Sequence, residues 1–114
     1  MPHFVIDCSK NIINIKSPEE VMQKVYDTAV SIDLFDKGYI KVRINPFEYY
    51  NIGNTKDDFI HIFANIMQGR TVSQKKNISE RIITQLNLMF SDVPVISINI
   101  RDFEKTTYCN KSMV

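Results

Sequence analysis

The sequence predicts a small α+β domain made of two β-α-β units, with both helices packed on one face of a single sheet. Four stretches show the every-second-position apolar pattern of strands, and two show apolar residues at helical spacing. They follow one another as strand, helix, strand and again strand, helix, strand. With 114 residues, 44% of them hydrophobic and 24% charged, the chain is expected to form one domain spanning residues 1–114.

The four predicted strands are bounded by turn-forming residues or by proline. They cover residues 3–8, 39–45, 59–67 and 95–101. Pro46 ends the second strand or places it at the edge of the sheet, because proline donates no ladder hydrogen bond. Each β-α-β unit is expected to form a parallel strand pair with a right-handed crossover.

The first helix has a well-marked start at Ser17-Pro18-Glu19-Glu20. Serine can cap the helix, proline suits the first helical position, and the second glutamate completes a capping box. The helix is expected to end near Leu34 or Phe35. Residues 11–16, which lie between the first strand and this helix, read as a polar connection.

The third strand is apolar on both faces. Ile60, Ile62, Ala64 and Ile66 form the face expected to meet the helices, while the other face carries Phe59, His61, Phe63, Asn65 and Met67. The second face is too apolar to be simply solvated. We therefore expect it to meet another sheet or another subunit.

Composition excludes several classes of protein. A net charge of +1 argues against a nucleic-acid partner. The two cysteines have no metal-ligand spacing, glycine is too scarce for a phosphate-binding loop, and no apolar run is long enough to span a bilayer. We expect a cytoplasmic protein with no metal, no membrane partner and no signal peptide before the first strand.

Acid–base chemistry near neutral pH has three candidate groups in this sequence. If Met1 is removed, Pro2 presents a free secondary amine held at the start of a strand. His3 points to the opposite face of the strand from Pro2, and His61 lies between isoleucines, where a structural role is more common. Cys8 on an apolar strand face is expected to be a small core residue.

Cations near helix starts and strand edges are candidates for anion binding. Lys41 and Arg43 project from one face of the second strand. Arg70 lies in the turn before the second helix, which Thr71 and Gln74 can cap, and backbone N–H groups there also favour an anion. Arginine can grip a carboxylate through two hydrogen bonds, so Arg70 is the preferred ligand-binding candidate.

Three segments resemble a known family. The start Met-Pro-His-Phe-Val-Ile-Asp-Cys-Ser, the stretch Phe-Asp-Lys-Gly-Tyr-Ile-Lys-Val-Arg at residues 35–43 and the turn Gln68-Gly69-Arg70-Thr71 are similar to the 5-carboxymethyl-2-hydroxymuconate isomerases of the tautomerase superfamily. The resemblance covers nearly the whole chain, in order and with similar spacing. The amino-terminal segment is its most specific part, and residues 108–111 resemble the family's ending only loosely.

The resemblance implies a tautomerase-like fold assembled as a homotrimer, without a cofactor. It implies that Pro2 is the catalytic base and that Arg70 holds a carboxylate of a small-molecule substrate. Lys41 and Arg43 match two basic residues of the family's second strand, the first of which is usually arginine. The implied reaction is a keto–enol tautomerisation or 1,3-proton shift on an unsaturated 2-oxo acid resembling 2-hydroxymuconate.

Two other interpretations remain open at this point. The element order is also that of ferredoxin-like domains, which include regulatory modules that bind small molecules and RNA-binding modules. The RNA-binding version should carry a basic, aromatic strand motif that this chain lacks. The chain could also be a family member without activity, since Lys41 lacks the bidentate fork of arginine.

Overall fold

The computed structural model describes all 114 residues and contains the predicted succession of helices and strands. The strands are β1 (His3–Ser9), β2 (Lys41–Phe47), β3 (Phe59–Met67) and β4 (Val95–Phe103). The helices are α1 (Ile12–Ile15), α2 (Pro18–Ile32) and α3 (Val72–Met89), with short 3-10 turns at Lys37–Tyr39 and Lys111–Met113. None of the helices is long and apolar enough to cross a membrane.

The sheet has the strand order β2-β1-β3-β4. The pairs β1–β2 and β3–β4 are parallel, and the central pair β1–β3 is antiparallel. In each β-α-β unit the two strands are therefore direct neighbours. A ferredoxin-like domain has split units, in which another strand lies between the two, so this topology excludes that alternative.

The hydrophobic core lies between the sheet and the pair α2 and α3. The predicted inward face of β3 is fully buried at all four positions, and so are Phe4, Ile6 and Cys8 of β1. The helices contribute Val21, Val25 and Ala29 from α2 and Ile78, Ile82 and Leu86 from α3. Both helices thus cover one face of the sheet, as their apolar periodicity predicts.

The prediction of a polar connection at residues 11–16 was wrong. This segment contains the helical turn α1, and Ile12 within it is completely buried. The segment has three isoleucines, Ile12, Ile13 and Ile15, but six residues are too few to establish a helical period, so the pattern alone could not reveal the turn. The following helix ends at Ile32, earlier than predicted, because Asp33 adopts a left-handed conformation with φ 60°.

The bounds of the two edge strands also differ from the prediction. β2 begins at Lys41 because residues 37–39 form a 3-10 turn, which Asp36 caps by accepting from the N–H of Gly38 at 3.0 Å. The strand continues through Pro46, which an edge position permits. At the other edge, β4 runs on to Phe103.

The two predicted capping boxes have different outcomes. Thr71 and Gln74 form the complete reciprocal pair at the start of α3. At α2, the Ser17 hydroxyl accepts from the N–H of Glu20 at 3.2 Å, but the Glu20 carboxylate accepts from the same hydroxyl instead of returning to the backbone. Only half of the predicted box forms at α2, which still satisfies one free N–H group of the first turn.

Candidate functional site

The chain start is fixed against the edge strand. Pro2 is buried, and its carbonyl oxygen accepts a hydrogen bond of 3.0 Å from the N–H of Lys41. The strand pairing continues directly from there, with His3 opposite Lys41. Pro2 therefore occupies a defined position at the end of the sheet, as the alternating pattern behind it predicts.

The positive charges of Lys41 and Arg70 both act on this chain start. The Lys41 Nζ atom lies 3.8 Å from the Met1 sulfur and donates to the Tyr39 carbonyl oxygen at 3.0 Å. The half-buried Arg70 guanidinium donates to the Leu34 carbonyl oxygen at 2.7 Å. It also lies over the Phe35 ring, at 5.6 Å from the ring centre. Both cations are thus held by neutral groups, in positions close to the amino end.

The amine at the chain start responds to this environment. Burial, and then the positive charges of Lys41 and Arg70, lower the pKa of the Met1 amine below its ordinary value. The Asp36 carboxylate opposes the shift. An amine at this end of the sheet is therefore more easily neutral than one in open water.

Arg43 lies two residues after Lys41 on β2 and contacts His3 instead of the amine. Its guanidinium is 3.1 Å from the Nδ1 atom of His3. Because arginine can only donate, Nδ1 must accept, which places the proton of a neutral imidazole on Nε2. Burial, followed by the charges of Lys41 and Arg43, lowers the pKa of His3. Of the three predicted cations, Lys41 and Arg70 act on the pKa of the amine at the chain start, and Arg43 contacts the neighbouring residue, His3.

These cations have no carboxylate partners in the protein. The chain forms three ion pairs, Lys10–Glu48, Lys75–Asp102 and Lys76–Glu80, and none of them includes one of these cations. Arginine and lysine side chains that are clustered without acidic partners provide unused positive charge. The amino end of the sheet is therefore suited to bind an anion.

A cavity of about 530 Å³ opens beside the chain start. It is lined by Met1, Tyr39 and Lys41, together with the carboxyl-terminal residues Asn110, Lys111 and Ser112. No sequence pattern placed the segment after residue 101 at this site. Its polar, aperiodic sequence carries no signal of where it would fold back.

The other candidate groups have structural environments. The Nδ1 atom of His61 is 2.6 Å from the Ser97 hydroxyl on the neighbouring strand, and its ring packs edge-on against Phe63. Cys8 is fully buried, and burial, with the charges of Asp7 and Asp58, raises its pKa to about 12. A thiol with that pKa is not an effective nucleophile near neutral pH.

Comparison with known proteins identifies relatives over nearly the whole length of this chain. A sequence profile of the 5-carboxymethyl-2-hydroxymuconate isomerase family matches residues 2–113. The 5-carboxymethyl-2-hydroxymuconate Delta-isomerase of Escherichia coli is 23% identical over 113 residues, covering 93% of this chain and 90% of that protein.

Solved structures give the same fold. A 5-carboxymethyl-2-hydroxymuconate isomerase from Deinococcus radiodurans R1 superposes with a TM-score of 0.84 at 23% identity, covering 96% of this chain and 88% of that one. A fused 4-OT symmetric trimer superposes with a TM-score of 0.79 at 12% identity, covering 98% of this chain and 94% of that one. The chain therefore belongs to the 5-carboxymethyl-2-hydroxymuconate isomerase family and is an isomerase with the tautomerase fold.

Proposed function

We propose that the protein is a cofactor-independent tautomerase that moves a proton within an unsaturated 2-oxo carboxylic acid, with the amine of Pro2 as the base after Met1 is removed. The observation that carries this proposal is the position of the chain start, which is held in the sheet beside Lys41 and Arg70. This arrangement joins a titratable amine to an anion-binding region in one place.

The base must be neutral to accept a proton. A free secondary amine is ordinarily protonated at pH 7, but burial and nearby cations favour its neutral form, as they already do for the Met1 amine. Neutral Pro2 takes a proton from the dienol hydroxyl or from an acidic carbon and then returns it to another carbon. The amine is regenerated, and the substrate is isomerised without loss or gain of atoms.

The cations supply binding and charge stabilisation. Arg70 retains N–H donors beyond the one used at Leu34 and can hold a substrate carboxylate. Lys41 stabilises the negative charge that develops on the enolate oxygen, since its ammonium faces no carboxylate of the protein. Arg43 acts through His3 and adds positive charge at greater distance.

The working form is proposed to be a homotrimer. The helix-free face of β3 carries Phe59, His61, Phe63, Asn65 and Met67, all of them only half-buried in the single chain. Assembly would cover these side chains, and a fused 4-OT protein of similar fold is a symmetric trimer. Light scattering tests this: Phe63→Glu should dissociate the oligomer, whereas Leu88→Glu, at an exposed position on α3, should not. A monomeric wild-type protein would contradict the assembly.

The activity is tested with untagged protein whose mass confirms the loss of Met1. Ketonisation of 2-hydroxymuconate and of an enolpyruvate is followed by absorbance, with Pro2→Ala beside the wild type. The rate should fall by about a hundredfold or more in the variant, the usual contribution of a general base. Pro94→Ala is the matched control, because Pro94 is exposed and precedes β4 at the opposite end of the sheet. Equal rates for Pro2→Ala and wild type would refute Pro2 as the base.

A further inference from the structure

The carboxyl-terminal segment does not extend away from the domain but returns to the amino end. After β4, the Glu104 carbonyl oxygen accepts from the N–H groups of Thr107 and Tyr108, at 3.3 and 3.0 Å, and reverses the chain. Gln68 holds both sides of this reversal. Its N–H donates to the Phe103 carbonyl oxygen at 3.2 Å, and its side chain accepts from the N–H of Lys105 at 2.5 Å. The turn that carries Arg70 is therefore also the anchor of the tail.

Aromatic packing continues the attachment. The Phe103 ring lies edge-on to His3, with ring centres 5.7 Å apart, and the Tyr108 ring packs on Phe103 at 5.5 Å. The final 3-10 turn is closed by Asn110, whose side chain accepts from the N–H and the hydroxyl of Ser112 at 3.0 and 2.7 Å. Residues 104–114, which we call the strap, are thus tied to the site through Gln68 and through Phe103, whose ring contacts His3.

The strap contributes three of the six residues that line the cavity at the chain start, and loss of Met1 leaves Tyr39 and Lys41 on the other side. Two of the six lining side chains are cations, Lys41 from β2 and Lys111 from the strap, and none is acidic. Lys111 is exposed and takes part in none of the chain's three ion pairs. A volume of about 530 Å³ lies within the usual range of small-molecule sites, so one ligand can contact both lysines.

We propose that the strap completes the substrate pocket and that Lys111 is a specificity-determining residue, which binds the second carboxylate of a dicarboxylate substrate. This inference rests on the proposed function for its substrate class. Beyond that function, the strap selects dicarboxylates over monocarboxylates of the same shape. The selection would be electrostatic, because lysine acts as a point charge on a flexible stem.

The test uses two ligands that share a dienoate chain. The trans,trans isomers of muconate and sorbate differ in that muconate has a second carboxylate where sorbate has a methyl group. Calorimetry on the processed protein measures both affinities without requiring turnover. Wild type should bind muconate about fivefold or more tightly than sorbate, and Lys111→Ala should lose about fivefold for muconate while sorbate stays within about twofold.

Three further variants separate charge from structure. Lys111→Arg should keep the preference for muconate, since it keeps the positive charge. Lys105→Ala is the matched control, because Lys105 is an exposed lysine of the strap that does not line the cavity. A chain ending at Cys109 removes the last turn but keeps the Phe103 and Tyr108 anchors, so it should show the same loss as Lys111→Ala.

The outcomes distinguish this inference from the proposed function. Absence of muconate binding to wild type, equal affinity for the two ligands, or an equal loss of both in Lys111→Ala would overturn the role of Lys111. Full ketonisation activity in Pro2→Ala would refute the proposed base and leave the ligand preference intact. Loss of the muconate preference in Lys111→Ala alone supports the inference, whatever the kinetic result.

Discussion

Arg70 should stabilise the protein as well as bind substrate, and the structure gives the size of the effect. Replacing it by alanine removes a charged hydrogen bond to the Leu34 carbonyl oxygen, at 2.7 Å, and the contact with the Phe35 ring. These are worth about 1.5–3 and about 0.5–1 kcal/mol. Arg70 is half-buried, so regained side-chain entropy offsets about 1 kcal/mol of this sum, and we expect Arg70→Ala to lower the unfolding free energy by about 1–3 kcal/mol.

That loss is measurable as a shift in Tm. A chain of 114 residues has an unfolding entropy near 0.24 kcal/mol/K at about 2 cal/mol/K per residue, so Tm should fall by about 4–12 °C. Thermal unfolding must be compared at one protein concentration, because assembly also contributes to the measured stability.

Kinetics then separate the two roles of Arg70. Arg70→Lys keeps the charge but loses the fork, so kcat/KM should fall by about tenfold or more. The control is Arg81→Ala: Arg81 also contacts the end of α2, donating to the Ser31 hydroxyl at 2.7 Å, but on the outer face of the helices. Arg81→Ala should change stability and leave KM unchanged. An Arg70→Ala protein with wild-type Tm and wild-type KM would refute both roles.

Three further effects follow from individual groups. Iodoacetamide at pH 8 should label Cys109, which is exposed, and not Cys8, whose pKa is about 12; mass spectrometry showing two adducts on folded protein would contradict this. Because the pKa of His3 is lowered from 6.5, the unfolded chain binds more protons in mild acid, and stability should fall as pH drops from 6.5 through the folded pKa. Denaturant titrations at several pH values should show a smaller fall in the free energy of unfolding for His3→Gln than for wild type. An equal fall in the two proteins would mean that His3 is not the group responsible. Thr71→Ala should cost about 1 kcal/mol in the same titrations, and no loss would mean that the capping box is energetically neutral.

The regular elements could be predicted because their signals are local. The alternation over residues 59–67 gave both ends of β3, and the pair Thr71 and Gln74 gave the start of α3. Where the prediction failed, one non-repeating contact decided the structure. Ile12 anchors a helical turn in a segment whose other residues are mostly polar, and Asp33 ends α2 with a conformation that its neighbours do not signal.

The candidate site was predicted only in part. The residues Pro2, Lys41 and Arg70 were identified through short segments that resemble the family, and the structure places all three at one end of the sheet. Lys111 was not identified, because its position depends on contacts of Phe103 and Gln68, which are far from it in sequence. Such long-range attachment has no periodic sequence pattern.

Strand direction explains why these distant residues meet. β2 is parallel to β1, so both begin at the same end of the sheet, with His3 opposite Lys41. β3 runs against β1 and β4 runs with β3, so both finish there, with Asn65 paired to His3 on one side and to Arg101 on the other. The turn after β3 and the strap after β4 must therefore emerge beside the first residue of the chain. A site at this end combines residues from the beginnings of the strands in the first β-α-β unit with residues that follow the strands of the second. It therefore requires both units.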